Sequence, residues 1–592
     1  MKTVIFFFSI LFGSLSICAQ NDTKIPSDIQ QWLNEELARV PDQTLSSSYS
    51  DAFFNEAPTR LIGYAKDYNP ESEALLGNLY VEDVIVHESY PVLIEFMPDG
   101  KFVTEISLTY PVYTYLKIND ETFISFYIEP GSTLAMIIEP DKTVSFQGQL
   151  AEINQELQLL ESSVRRLNPY FVYNEGREML PMDFKAEYTR QYKEYQARLN
   201  EFIDKTTISG RAQEINKFDA LIMYAAKLLE YVMLNDGSGV TIPNEYYDFL
   251  SELPLDNTLL LTARQYSAFL NRLEFSDRLR LKEYPAVYET LPEKTFLEFL
   301  QEETPSLTPM EIEIANFYNM IMITNRYDQK CVQFFQNNED AIQSFQEKFE
   351  KQNDDYNTIY LDSLRELPSY KLKLIEWERK DKLLADSLGL QSSLTYEIIK
   401  MRSLPNTLAN LEIEEARSYI NEMKMQLTHP YLRKTADKLL ETKINKSVEE
   451  AYELPEGKGT DIFREIINNH KGKYVLVDFW ATTCGPCIGA MRDTKATREK
   501  YKDHPEIDFV FITGDHESPE DAYVKMIEEY GLHHSYRLPH AQYAHLPVLF
   551  KFSGIPRYVL VDKDGRIISD NFWIIRFNAE QVIEDLLSTN NK

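Results

Sequence analysis

Between Tyr474 and Cys487 the chain reads Tyr-Val-Leu-Val-Asp-Phe-Trp-Ala-Thr-Thr-Cys-Gly-Pro-Cys, and no other stretch limits the fold as much. Tyr474 to Phe479 has the β-branched and aromatic composition of a buried strand, and a Cys-x-x-Cys follows after a short turn. Residues Ile488 to Tyr501 contain no proline and Gly489 as the sole glycine. They predict a helix that closes on a basic, polar stretch suited to a helix C-terminus. Cys484 then falls at the helix N-terminus.

That placement explains the spacing. Two intervening residues let both sulfurs reach disulfide distance in the first helical turn. There the unpaired backbone N–H groups and the helix dipole stabilise a thiolate on the outer cysteine. Cys484 is the expected nucleophile, and Cys487, one turn inward, the residue that resolves a mixed disulfide. Asp478 lies on the apolar strand, where ionisation is costly. A raised pKa would let it relay the proton that Cys487 must lose. The competing reading of Cys-x-x-Cys is half a structural zinc site, but such sites need four ligands and the chain has no second pair.

The segment Val477 to Cys487 resembles a thioredoxin active site. Lys471 to Cys487, followed by Gly554-Ile555-Pro556-Arg557-Tyr558-Val559-Leu560-Val561-Asp562-Lys563-Asp564-Gly565, resembles the extracytoplasmic TlpA/ResA-like thiol-disulfide oxidoreductases. The resemblance implies that Pro556 is a cis-proline facing the cysteines. It also implies that Trp480, Gly485, Pro486 and Ile555 form the surface a substrate meets. Members often carry a Glu three residues and a Pro five residues after the second cysteine, where this chain has Ala490 and Arg492. Thioredoxins commonly place a Lys near the buried acid on the neighbouring strand, and Ile507 to Thr513 has none. Asp478 is left as the only relay apparent in the sequence.

The rest of the chain supplies an address and a frame. Residues 1–19 read as an export signal, with Lys2, an apolar core from Val4 to Ile17 too short to span a bilayer, and Ala19 at the cleavage position. Cys18 would suit a lipoprotein, but Ile17 is a poor match to the small residue that lipidation needs, so cleavage and a periplasmic location are expected. Of the remaining cysteines, Cys331 reads as a small hydrophobe on a helix, and Cys484 and Cys487 as a working redox couple. The formal charge of −32 disfavours nucleic acid and anionic membranes as partners. No later apolar run is long enough to predict a transmembrane helix.

After a polar N-terminal segment, 20–56, with one helix expected at Ser27 to Arg39, residues 57–148 show short β-type runs separated by turns such as Pro98-Asp99-Gly100 and Glu129-Pro130-Gly131. They predict a small antiparallel β-domain, sandwich-like, and resemble the β-domain upstream of the thioredoxin domain in multi-domain members of the same family. Residues 149–454 read as a large α-helical domain, in which Phe184, Tyr188, Tyr192, Tyr195, Leu199 and Phe202 recur at helical spacing as a core stripe. Residues 455–592 read as an α/β thioredoxin-like domain, with Thr460 or Asp461 capping a first helix and an irregular insert holding His533, His534, His540 and His545. No acid or thiol lies within that histidine cluster, so no metal and no cofactor are expected.

The leading expectation is an exported thiol-disulfide oxidoreductase that reduces, or isomerises, disulfides of extracytoplasmic proteins. Gly485-Pro486 is the dipeptide of reducing thioredoxins. An electron donor is required, which the resemblance suggests is a membrane thiol-disulfide protein. The alternative is a binding or sensing module whose thioredoxin domain only docks a partner or reports redox state. A thiol peroxidase fits less well, because such sites surround a single cysteine with Pro, Thr and a distant Arg.

Overall fold

The computed structural model describes residues 25–39, 53–69, 76–118, 122–236, 238–276, 294–304, 306–324, 329–362, 367–388, 392–446, 451–571 and 579–588. The expected export signal, residues 1–19 with Cys18, lies outside them. Cys331 falls on the helix Gln329–Asn337, but its side chain is outside the description.

Among the described residues eight strands form the first unit: β1 Ala57–Ala65, β2 Leu76–Asp83, β3 Glu88–Glu95, β4 Lys101–Leu108, β5 Val112–Lys117, β6 Phe123–Ile128, β7 Thr133–Ile138 and β8 Val144–Gln147. They make two four-stranded sheets, ordered β4-β1-β7-β8 and β3-β2-β5-β6. Pairing is antiparallel except between β1 and β7. Neither β1 nor β8 stands out in the sequence, and β1 is central to its sheet. A Cβ at Gly63 would lie 2.4 Å from the Phe102 ring and 2.5 Å from the Met136 carbonyl, so the glycine that blurs the strand pattern is what lets the layers close. The helix Ser27–Ala38 lays Ile29 and Leu33 on the outer face of this sheet, against Ile62, Ala135 and Ile137.

One continuous hydrophobic core runs from the sandwich into the helices, as far as Ala436. The aromatic stripe of the helix Pro181–Lys205 lies within it. Phe184 stacks on Tyr231 at 4.3 Å, and Tyr192 on Tyr224 at 4.6 Å. Among the described residues, no helix is long and apolar enough to cross a membrane.

The C-terminal unit holds β9 Tyr474–Phe479, β10 Ile507–Gly514, β11 His534–Leu538, β12 Arg557–Val561 and β13 Ile567–Ser569, in the order β11-β10-β9-β12-β13. β9, β10 and β11 are parallel, β12 runs antiparallel to β9, and β13 runs antiparallel to β12. Two expectations are corrected here. The insert is regular, adding β11 to the sheet edge and then the short helices His540–Tyr543 and His545–Leu549. The first helix spans Lys458–Ile467 and begins at Gly457 without a side-chain cap, because Thr460 lies inside it and donates its hydroxyl to the Pro455 carbonyl. This unit also touches the sandwich: Lys458 Nζ and His545 Nδ1 lie 3.4 and 3.6 Å from the Glu95 carboxylate.

Candidate active site

β9 is apolar enough to occupy the middle of the sheet, and the chain leaves its C-terminal end through Trp480 to Thr483 into the helix Gly485–Tyr501. Cys484 is the N-cap of that helix, with its Sγ accepting the Cys487 N–H at 3.2 Å. The two cysteines form a disulfide. Cys484 is half-buried and Cys487 fully buried, so the outer sulfur alone is open to attack. The Ile555-Pro556 peptide is cis, and the Ile555 carbonyl oxygen lies 3.8 Å from Cys484 Sγ. Gly485 and Pro486 are exposed, and Ile555 and Pro556 half-buried. The structure thus gathers Cys484, Gly485, Pro486, Ile555 and Pro556 around one accessible sulfur.

Trp480 does not join them. Its side chain is fully buried and stacks on Tyr523 with ring centroids 6.1 Å apart. Strand alternation turns Leu476, Asp478 and Trp480 toward the active-site helix, which puts the indole beneath the disulfide rather than on the surface. A substrate-contact role for Trp480 is therefore corrected to a packing role.

Asp478 is buried, and burial pushes its carboxyl up to about 8, against the opposing pull of the Arg498 guanidinium. Arg498 is the residue that sequence reasoning missed. It sits in the basic end of the active-site helix, where a cation is ordinarily assigned to solvent and the helix dipole. Counting from Cys487, however, the inward stripe of the helix passes through Met491, Thr494 and Arg498, and all four are buried. The guanidinium donates to the Met491 carbonyl (2.9 Å), Thr494 Oγ1 (2.6 Å) and the Tyr530 carbonyl (2.8 Å), above the Phe511 ring.

Asp478 and Arg498 line one cavity of about 30 Å³ together with Thr494, Phe511 and Tyr558. That is room for about one or two waters. Asp478 Oδ1 and Arg498 Nε each have no hydrogen-bond partner among the described residues. Two orphaned polar atoms on a water-sized space are the arrangement a bound water satisfies. The absent strand lysine thus has a spatial counterpart that comes from the helix. Beside the site, the Thr482 N–H donates to Ser518 Oγ (3.1 Å) and its hydroxyl to the Glu517 carbonyl (3.2 Å), which fixes the turn that delivers Cys484.

A vicinal pair at a helix N-terminus, with one sulfur open and one closed and a cis-proline loop alongside, defines a thioredoxin-like domain. The family model described as thioredoxin-like matches residues 472–567. Among solved structures, the thioredoxin domain of a thiol-disulfide oxidoreductase from Bacteroides vulgatus is 26% identical, over 20% of this chain and 83% of that one, with a TM-score of 0.19. A thiol:disulfide interchange protein from Bacteroides sp. is also 26% identical, over 20% of this chain and 76% of that one, with a TM-score of 0.18. Among curated proteins none matches the sequence.

Proposed function

We propose that the protein is an exported thiol-disulfide oxidoreductase that reduces disulfides of extracytoplasmic proteins in the periplasm of a Gram-negative cell. The observation that carries this reading is the division between a half-open Cys484 at a helix N-terminus and a closed Cys487 behind it. The Cys484 thiolate attacks one sulfur of a substrate disulfide. A mixed disulfide forms and the other substrate sulfur leaves as thiolate. Cys487 gives up its proton and attacks the Cys484 sulfur, which closes the Cys484–Cys487 disulfide and releases the second substrate thiol. Asp478 is the acceptor for that proton, with the small cavity shared with Arg498 as the route by which a water carries it onward. Gly485, Pro486, Ile555 and Pro556 present the surface and backbone that a substrate strand meets.

The Gly-Pro between the cysteines supports reduction over oxidation. The apolar stretch and Ala19 near the start of the sequence support export. Each turnover leaves the couple oxidised, so a dithiol donor must return two electrons, and a membrane thiol-disulfide protein suits that place.

The test is reduction of insulin disulfides, with dithiothreitol regenerating the couple. Cys484→Ser is expected to abolish turnover. Cys487→Ser is expected to accumulate mixed disulfides, seen as adducts on non-reducing gels. Wild-type turnover by either variant would overturn the mechanism.

A further inference from the structure

At the end of the same sheet remote from the cysteines, three metal-binding side chains converge from separate parts of the sequence. His470 closes the turn before β9, Asp508 is near the start of β10, and His534 opens β11. His470 Nδ1 lies 2.8 Å from Asp508 Oδ2, and His534 Nε2 lies 3.8 Å from Asp508 Oδ1. One ligand atom from each residue falls within 4.8 Å of the other two. The two imidazoles meet edge to face, 4.7 Å between centroids. His470 and Asp508 are buried, and His534 is exposed enough to admit an ion. We propose that His470, Asp508 and His534 form a binding site for a divalent transition-metal ion, with zinc the best match, that staples the insert to the body of the thioredoxin-like sheet.

The donor set carries the choice of ion. Two imidazole nitrogens and one carboxylate oxygen suit zinc, while magnesium and calcium ask for oxygen throughout. Zinc bonds of roughly 2.1 Å in a tetrahedron put neighbouring donors about 3.4 Å apart. The 2.8 and 3.8 Å separations reach different oxygens of the Asp508 carboxylate, and with one ligand atom taken from each residue all three lie within 4.8 Å, a spread that small side-chain rotations close. The fourth position faces solvent beside His534. Tyr536 supplies the outer support such sites use: its hydroxyl lies 3.2 Å from His470 Nε2, which fixes the ring with Nδ1 turned inward.

Lys473 is the competitor. Its Nζ lies 2.9 Å from Asp508 Oδ1, the carboxylate oxygen that His534 also approaches, and its side chain is 31% exposed. The ammonium neutralises the carboxylate when no ion is present and can swing into solvent when one arrives. β9 alone spans about 20 Å between this end of the sheet and the disulfide end, so the ion would act on stability and not on sulfur chemistry. Sequence reading could not assemble the site, because His470 and Asp508 lie outside the histidine-rich insert.

Isothermal titration of the full mature chain with zinc chloride tests the proposal, with Cys484–Cys487 kept oxidised so that this pair of thiolates does not compete, and with Cys331→Ala as the background. The expected result is one saturable site per chain and a melting temperature that rises with free zinc. His534→Ala should weaken binding at least about tenfold while leaving insulin reduction unchanged. Lys473→Met should tighten binding by removing the competing ammonium, and His540→Ala should leave it as in the wild type. Absence of saturable binding would overturn the proposal. So would a zinc affinity that neither His534→Ala nor Lys473→Met alters.

Discussion

Asp478 on β9 and Asp508 on β10 are carboxylates on neighbouring strands of one sheet, 8% and 5% exposed. Asp508 receives His470 at 2.8 Å and Lys473 at 2.9 Å, and those partners hold its carboxyl below the ordinary range although burial alone would raise it. The cation that acts on Asp478 among the described residues is Arg498, and that guanidinium spends its bonds on Met491, Thr494 and Tyr530. Its carboxyl rises to about 8. Burial sets the cost of a charge, and close partners decide whether the cost is met. The acid that meets it serves the frame, and the acid that does not can exchange a proton near neutral pH.

The difference predicts stability effects of opposite sign. Below pH 4, Asp478 is protonated in both folded and unfolded chains and costs nothing. As pH rises the unfolded chain ionises first, so folding loses stability progressively until Asp478 itself ionises near pH 8. A displacement of about 4 units is worth at most about 5 kcal/mol. Asp478→Asn should therefore stabilise the protein by up to that amount above pH 8, with the gain vanishing below pH 4. Urea unfolding at several pH values reads it. A gain independent of pH would show that Asp478 is ionised in the folded chain.

Asp508→Asn should do the reverse. Removing one partner of a buried charge cluster leaves His470 and Lys473 facing a neutral amide, at a cost of about 3 kcal/mol at neutral pH. The same urea titration measures it. Equal behaviour of the two asparagine variants would break the comparison between the two acids.

Activity should separate them as well. Asp478→Asn removes the proton acceptor proposed for Cys487 and should slow release of the mixed disulfide by about a hundredfold, within the usual range for a lost general base. The alkaline inflection of the pH–rate profile should go with it. Asp508→Asn, measured at a temperature where it stays folded, should turn over as the wild type does. Stopped-flow mixing with a disulfide peptide resolves the step.

What the sequence makes legible follows from the same physics. The strand Tyr474 to Phe479, the cysteines at the helix start, and the cost of an acid on an apolar strand are properties of adjacent residues, and each reads directly from order along the chain. The partners of the two acids do not. His470 and Lys473 lie more than thirty residues before Asp508, and Arg498 lies twenty residues after Asp478. Trp480 shows the opposite failure: its place in the motif is plain, but the side of the strand it takes buries it. In the sandwich, Pro58 and Gly63 disguise β1, whose partners β4 and β7 lie far along the chain.

Arg498 offers the smallest and sharpest prediction. The guanidinium favours the charged form of Asp478, so its loss moves the carboxyl further up and makes it a poorer acceptor below pH 8. Arg498→Gln retains donors for the Met491 and Tyr530 carbonyls but loses the charge, whereas Arg498→Lys keeps the charge and loses the planar fork. If Arg498 acts through Asp478, the Gln variant slows mixed-disulfide release less than about tenfold and shifts the inflection of the pH–rate profile to higher pH. The Lys variant should return the inflection toward the wild-type position, even if it melts at a lower temperature. A purely structural role predicts something else: both variants lose stability and neither moves the inflection. In an Asp478→Asn background the Gln substitution should add nothing further to the rate, because the group on which the charge acts is gone.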